Sequence, residues 1–330
     1  MACSKRGKVF WRSDIIRMYK KKPPKNLPKW LVPFMTTRGV LEPECGSYKA
    51  VYVIGDLAIS VEETDEDSDD VRNQIIRERL GWIEEKYQQY FNYSKNEWVW
   101  QGFRFRELSL CPKGTLADMM RSHDYTLEDV HLKQLIRALQ VLHRDASLVI
   151  GDLKPANIMF CKCDCLAFID LDSAVILPIH KRSRIYRTGW WNIIRQINPK
   201  TVDHPRRLLI ASDWIAISLV VMMHYAVKED DTQLSRRVIR SYNDEGDFNY
   251  EYIKDIKEDE IYEYGALAEA AYDIIRHFRL LETYHKTFLP DRYRFTLPDR
   301  KYIDKLLDVS WSHRVMRYMG LVSFQNALKF

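Results

Sequence analysis

The sequence holds little of what marks a secreted, membrane-spanning or nucleic-acid-coating protein. Six cysteines in 330 residues are no disulfide framework, and they read as reduced thiols in an intracellular protein. The opening MACSKRGKVFWRSD bears charge but no apolar segment, so no secretory signal is visible. The longest greasy run, Leu208–Val227, is interrupted by Asp213 and His224. An aspartate at a membrane centre costs about 2.5–3.5 kcal/mol, so this run reads as a buried core helix and no membrane partner is expected. Charge of one sign is lacking too. The 51 Lys+Arg stand against 46 Asp+Glu, a net +5, too near balance to mean a nucleic-acid binder. There are no internal repeats and no low-complexity tracts, and 46% hydrophobic residues exclude a disordered or fibrous chain. What remains is a globular protein of one large domain or two, cytoplasmic or nuclear.

The charge is unevenly spread. Residues 1–30 hold ten Lys/Arg and a single acid, Asp14. This basic stretch, 1–35, reads as an extension packed on the fold or trailing from it; Lys5, Arg6, Lys8, Lys20–Lys22 and Lys25 leave a nuclear address or nucleic-acid patch open beside a solubilising role. From 36 the pattern is strand-like. Ala50–Ile54 and Leu57–Val61 flank Gly55-Asp56, a turn dipeptide of hairpin chemistry. Seven carboxylates between Glu62 and Asp70 read as a solvated loop. A helix follows, with Val71, Ile75, Ile76, Leu80 and Ile83 on its apolar face, and Gly102–Leu110 reads as another strand. Thr126 with Asp129 predicts a capping box opening a helix whose apolar face is Val130, Leu135, Ile136, Leu139 and Leu142. Two short strands, Ile158–Phe160 and Leu166–Ile169, flank Cys161-Lys-Cys-Asp-Cys165. That turn lacks the second cysteine pair of ordinary structural zinc sites.

The densest chemistry lies in Gly151-Asp-Leu-Lys-Pro-Ala-Asn157, followed thirteen residues after Asn157 by Asp170 in Phe168-Ile-Asp-Leu-Asp-Ser-Ala174. The joint spacing, with a preceding amphipathic helix ending in Leu142-His143, resembles the catalytic loop and metal-binding segment of the eukaryotic-type protein kinase superfamily. The likeness extends over roughly Thr36 to Met223. It implies an α+β chain with a two-lobed kinase fold: a small β-rich lobe over 36–108, then a hinge and larger α-helical lobe over 109–330, with an ATP cleft between them. It also implies a Ser/Thr protein kinase that moves the γ-phosphate of ATP to protein hydroxyls. Asp152 would orient the acceptor and take its proton, Lys154 would balance charge on the moving phosphate, and Asn157 and Asp170 would hold Mg²⁺ through oxygen ligands. Leu108-Ser-Leu-Cys-Pro-Lys-Gly-Thr-Leu-Ala-Asp118 is similar to the kinase hinge, with Leu108 as gatekeeper and the Ser109–Cys111 backbone on adenine. Ser212-Asp213-Trp214 resembles the start of the buried kinase helix whose aspartate braces the catalytic-loop backbone.

The chain departs from the family at several places. Glu44-Cys-Gly-Ser-Tyr-Lys-Ala-Val51 keeps only Gly46 of the glycine-rich loop, together with Val51; Gly46, Val51 and Ala58 would lie against the nucleotide. The usual strand lysine is Ser60, while Lys49 occupies a loop position over the phosphates, a placement similar to that of the with-no-lysine kinases. Gln74 and Glu78 are equal candidates for the helix partner of that lysine. Ile150-Gly151 replaces His-Arg, Asp172 replaces glycine, and no Ala-Pro-Glu follows Thr188–Trp191. Such degeneracy resembles fast-diverging kinases of large DNA viruses, in which case the compartment is the host cell's. Two other readings stay open: a pseudokinase scaffold, and a small-molecule phosphotransferase of the choline or aminoglycoside kinase type, which shares Asp-x-Asp.

Overall fold

The computed structural model describes residues 12–37, 43–45, 49–64, 69–122, 125–161, 165–171, 174–178, 205–231, 233–234, 261 and 263–275. Gly46, Cys163, Asp172 and the segment Thr188–Trp191 lie outside the described residues. The chain divides into two compact units. The first comprises Met1–Arg77 and Asn92–Pro112, the second Glu78–Phe91 and Lys113–Phe330. An antiparallel sheet in the first and helices dominating the second give a mixed architecture of α+β character.

The first unit is built on five strands, β1 (Glu44–Cys45), β2 (Lys49–Ile54), β3 (Leu57–Glu63), β4 (Asn96–Trp100) and β5 (Phe103–Ser109), ordered β1-β2-β3-β5-β4. The expected hairpin forms, with Gly55 at φ +60 in its turn, where a side chain would be strained. Alternation then sorts side chains between two faces. Ala50, Tyr52, Ile59, Val61, Phe103 and Phe105 turn to one face and join Ile15, Leu31, Phe34 and Met35 in a single core. Those last four come from α1 (Arg12–Lys21), a following 3₁₀ turn and α2 (Val32–Thr36), so the part of the basic extension from Arg12 onward packs on the sheet. Arg12 fixes the arrangement: its Nε donates to the Phe34 carbonyl at 2.8 Å, its Nη2 to the Thr37 carbonyl at 2.7 Å, and its guanidinium lies over the Phe34 ring. Lys20–Lys22 and Lys25 stay exposed. Each large apolar side chain buried here contributes about 1.5–3 kcal/mol.

The opposite face differs from the sequence expectation. Glu62 and Glu63 end β3 instead of opening a solvated loop; Glu62 is drawn in because Arg104 stands opposite it in register. Helix α3 (Asp69–Leu80) follows, with Ile76 and Leu80 buried as expected. Val71 is 65% exposed, and Asn73 takes its place on the inward face, where Tyr93 Oη donates to the Asn73 carbonyl at 2.9 Å. Gln74 and Glu78 are both exposed.

In the second unit, α4 (Glu85–Gln88) and α5 (Leu116–Arg121) precede α6 (Asp129–Val141). The Thr126 cap is not formed. Glu128 occupies the N-cap, its N–H facing His131 Nδ1 at 3.4 Å, because Asp129 is engaged elsewhere. Its carboxylate accepts from Tyr225 Oη at 2.6 Å, from His224 Nε2 at 3.1 Å and from Lys228 Nζ at 3.2 Å. These three residues end α7 (Pro205–Lys228), the buried helix foreseen in the greasy run. No helix among the described residues is long and apolar enough to cross a membrane.

Two small ladders complete this unit: β6 (Leu148–Val149) with β9 (Val175–Ile176), and β7 (Ile158–Phe160) with β8 (Leu166–Phe168). The reduced-thiol expectation is corrected here. Cys111, Cys161 and Cys165 are disulfide-bonded. Cysteine count and spacing alone did not reveal this; in the backbone, the Cys165 carbonyl accepts the Cys161 N–H at 2.9 Å at the end of the β7–β8 ladder.

Candidate active site

The loop between β6 and β7 is shaped from beneath by α7. Asp213 is completely buried, and its carboxylate accepts the N–H of Ile150 at 2.8 Å and of Gly151 at 3.2 Å. His143, on the π-type turn Leu142–Ala146 that ends α6, adds Nε2 at 2.8 Å and packs edge-on against Trp214. Two backbone N–H groups that would otherwise be orphaned thus meet a carboxylate that would otherwise be costly to bury. Gly151 has φ +78, a conformation that a side chain would strain, and the chain turns there into Asp152. The brace expected from Ser212-Asp213-Trp214 is therefore present.

The loop then presents its polar residues in order. Lys154 Nζ lies 3.0 Å from Asp152 Oδ2. Pro155–Asn157 forms a 3₁₀ turn closed by the Asn157 N–H on the Lys154 carbonyl at 2.8 Å. Asn157 Nδ2 donates to the Asp152 carbonyl at 2.8 Å, which turns its Oδ1 away from the backbone. The hairpin does the rest. Ile158 pairs with Phe168, and the Ile169 N–H donates to the Asn157 carbonyl at 2.9 Å, so Asn157 and Asp170 sit at adjoining ends of one ladder. Asp170 has φ +60, a left-handed conformation in which aspartate is one of the few tolerated side chains. Asp152, Lys154, Asn157 and Asp170, eighteen residues apart at the extremes, are gathered by backbone hydrogen bonds. An amide oxygen and a carboxylate at such neighbouring positions are suited to a hard cation such as Mg²⁺.

In the first unit, Lys49, Val51, Ala58 and Ser60 share the sheet face opposite the apolar core, by the pairs Lys49↔Glu62, Val51↔Ser60 and Val53↔Ala58. Ser60 is buried and its hydroxyl has no hydrogen-bond partner among the described residues. The strand after Leu108 departs from expectation. Ser109 donates its N–H to Asn92 Oδ1 at 3.0 Å, and its carbonyl accepts from Asn92 Nδ2 at 2.8 Å. Asn92 extends the β4 edge by one side chain, so the Ser109 backbone expected on adenine is already hydrogen-bonded. Cys111 is buried, with Asn92 Nδ2 3.4 Å from its Sγ.

Sequence reasoning missed two clusters. One joins Arg77, Glu62, Glu97, Arg104 and Arg106 on the charged sheet face. Its signal was the alternation Phe103-Arg-Phe-Arg106, with charge at every second place of an inner strand. The other is the Asp129 cluster, where Tyr125 Oη also meets His224 Nδ1 at 2.8 Å. Since the Asp129 carboxylate only accepts, His224 carries its proton on Nε2, and Tyr125 donates to Nδ1. Burial lowers the His224 pKa, and the bond to Asp129 offsets this only in part. Burial raises Asp129, but hydrogen bonds from Tyr225, His224 and Lys228 outweigh it and leave its carboxyl below the ordinary range. No such spacing rule links residues 125, 129 and 224 in the sequence. Neither a scan of the chain against protein-family models nor a search of curated proteins returns a match.

Proposed function

We propose that this chain is a Ser/Thr protein kinase with the two-lobed kinase fold, transferring the γ-phosphate of MgATP to protein hydroxyls. The observation that carries the reading is the braced loop: Asp213 fixing Ile150 and Gly151, with Asp152, Lys154, Asn157 and Asp170 gathered above. Phosphoryl transfer needs little covalent help from a protein and much positioning of charge. Asp152 accepts the proton of the incoming hydroxyl, and Lys154, already bonded to it, holds the carboxylate in one rotamer and faces the developing negative charge. Asn157 Oδ1 and the Asp170 carboxylate would hold Mg²⁺, which when bound neutralises charge on the phosphates. Lys49 supplies the ammonium that Ser60 cannot.

The pseudokinase reading draws on one observation, the Asn92 bonds to Ser109, which engage a hinge position where adenine would be read. One experiment separates the two. Transfer from γ-labelled ATP to a panel of proteins is measured for the wild type and for Asp152→Asn and Asp170→Ala, with ATP binding followed by calorimetry. Transfer abolished in both variants, with the fold intact, supports the kinase. Transfer unchanged in Asp170→Ala overturns it, and ATP binding without transfer by the wild type favours the pseudokinase.

A further inference from the structure

The sheet of the first unit carries charge where a covered sheet face ordinarily carries hydrocarbon. Along β5, Phe103 and Phe105 turn to the apolar core while Arg104 and Arg106 turn to the other face, both side chains only 3% exposed. Glu62 Oε1 takes Arg104 Nη1 at 3.2 Å and Arg106 Nη2 at 2.9 Å. Glu97 is the hub. Its Oε2 accepts Arg106 Nε at 2.9 Å and Arg77 Nη2, reaching from α3, at 3.3 Å. Its Oε1 lies 3.4 Å from Arg104 Nε, an ion contact without hydrogen-bond alignment. Register explains the convergence, since Arg106 stands directly opposite both Glu97 and Ser60, and Arg104 opposite Glu62.

A buried network of this kind is a poor way to gain stability, because apolar residues of similar volume often serve as well or better. Its layout suits another task. Ser60 stands where the kinase resemblance puts the strand lysine, and the guanidinium opposite it belongs to Arg106. On α3 the two candidate partners, Gln74 and Glu78, are exposed, and α3 reaches the network through Arg77. Guanidinium is always charged and has donors enough to join two carboxylates at once.

We propose that Glu97 and Arg77 are positioning residues that fix α3 to the sheet with the polarity of the family's pair inverted: the cation is on the helix and the anion on the strand. The inference rests on the phosphotransferase reading. The network sets where α3 stands and does not itself touch the nucleotide, so its loss lowers turnover more than affinity.

The test uses the full chain and the variants Arg77→Ala, Arg77→Lys and Glu97→Gln, with Val71→Ala on the exposed side of the same helix as control. Transfer rate against MgATP concentration and amide hydrogen exchange along α3 are measured for each. Arg77→Ala is expected to lower kcat at least tenfold while KM for ATP stays within threefold, with faster exchange at residues 73–77. Arg77→Lys recovers part of kcat, because a point charge still reaches Glu97. An ion pair that merely stabilised the fold would lower the melting temperature without changing kcat per folded molecule. If Arg77→Ala keeps the wild-type kcat, the positioning role is overturned while the kinase reading stands. If the wild type transfers no phosphate, the kinase reading fails and the positioning role falls with it. Should Glu97→Gln not fold, the Arg77 series decides, since that side chain is 37% exposed and its loss leaves the core intact.

Discussion

Asp213 in α7 and Glu97 in β4 are both carboxylates withdrawn from water, and their partners are of different kinds. Asp213 is met by two backbone N–H groups and one histidine, all fixed by a short loop and the end of a helix. Glu97 is met by three arginine side chains from two elements, each with its own rotamers to hold. The first arrangement orders a loop at small entropic cost, because the backbone donors have nowhere else to go. The second can be rearranged by moving side chains alone. The second unit therefore carries a rigid site, and the first carries a charged face that a shift in α3 can re-partner.

The sharpest way to break that comparison is Asp213→Ala. It leaves two N–H groups and His143 buried without an acceptor, and breaking a buried charged contact typically costs about 3–5 kcal/mol. An unfolding free energy from urea melts lowered by that amount, with transfer lost, is expected; Asp213→Asn keeps one acceptor and should fall between. A loss under about 1 kcal/mol would mean the loop holds itself. Next comes Lys49→Met on the charged face, with a fall in transfer rate of roughly 10²–10³ if it acts on the phosphates. Ser60→Ala should leave the rate near wild type and the stability equal or higher, since it deletes a buried hydroxyl without a partner among the described residues. Adding Ser60→Lys to Lys49→Met should not rescue, because residue 60 lies opposite Arg106.

A smaller effect is expected from acid. His224 has a folded pKa below its unfolded value, so protonation favours the unfolded chain. Stability is then full above the ordinary histidine pKa, about 6.5, and falls as pH drops through it. Asp129, also depressed, adds a second loss of the same sign below its usual 3.8. Thermal melts between pH 7.5 and pH 5 check the first step, and His224→Phe should flatten it. The smallest effect is Val71→Ala, within about 0.5 kcal/mol by denaturant melt, because the side chain is largely in water.

These differences also explain what could be read in advance. The loop residues were legible because Asp152, Lys154, Asn157 and Asp170 are positioned by local backbone turns and one tight hairpin, so sequence spacing maps onto space. The hairpin at Gly55-Asp56 and the helix over the greasy run were legible for the same reason, period and turn chemistry being local properties. The charged face was not. Glu62, Glu97 and Arg104 meet only through strand register, and a carboxylate-rich run looks like solvent until its opposite strand is known. The Asp129 cap failed similarly: local chemistry offered Thr126, but His224 and Tyr225, far along the chain, claimed the aspartate.

The cover that α1 and α2 lay over the sheet has a consequence for how the chain is made. Ile15 and Phe34 complete their core with Phe103 and Phe105, so about 70–90 residues must be synthesised between the first contributors and the last. At about 5–20 residues per second, the apolar sides of the first helices wait several seconds on the ribosome for the strand that buries them. During that interval the exposed lysines Lys20–Lys22 and Lys25 flank the waiting surface with positive charge.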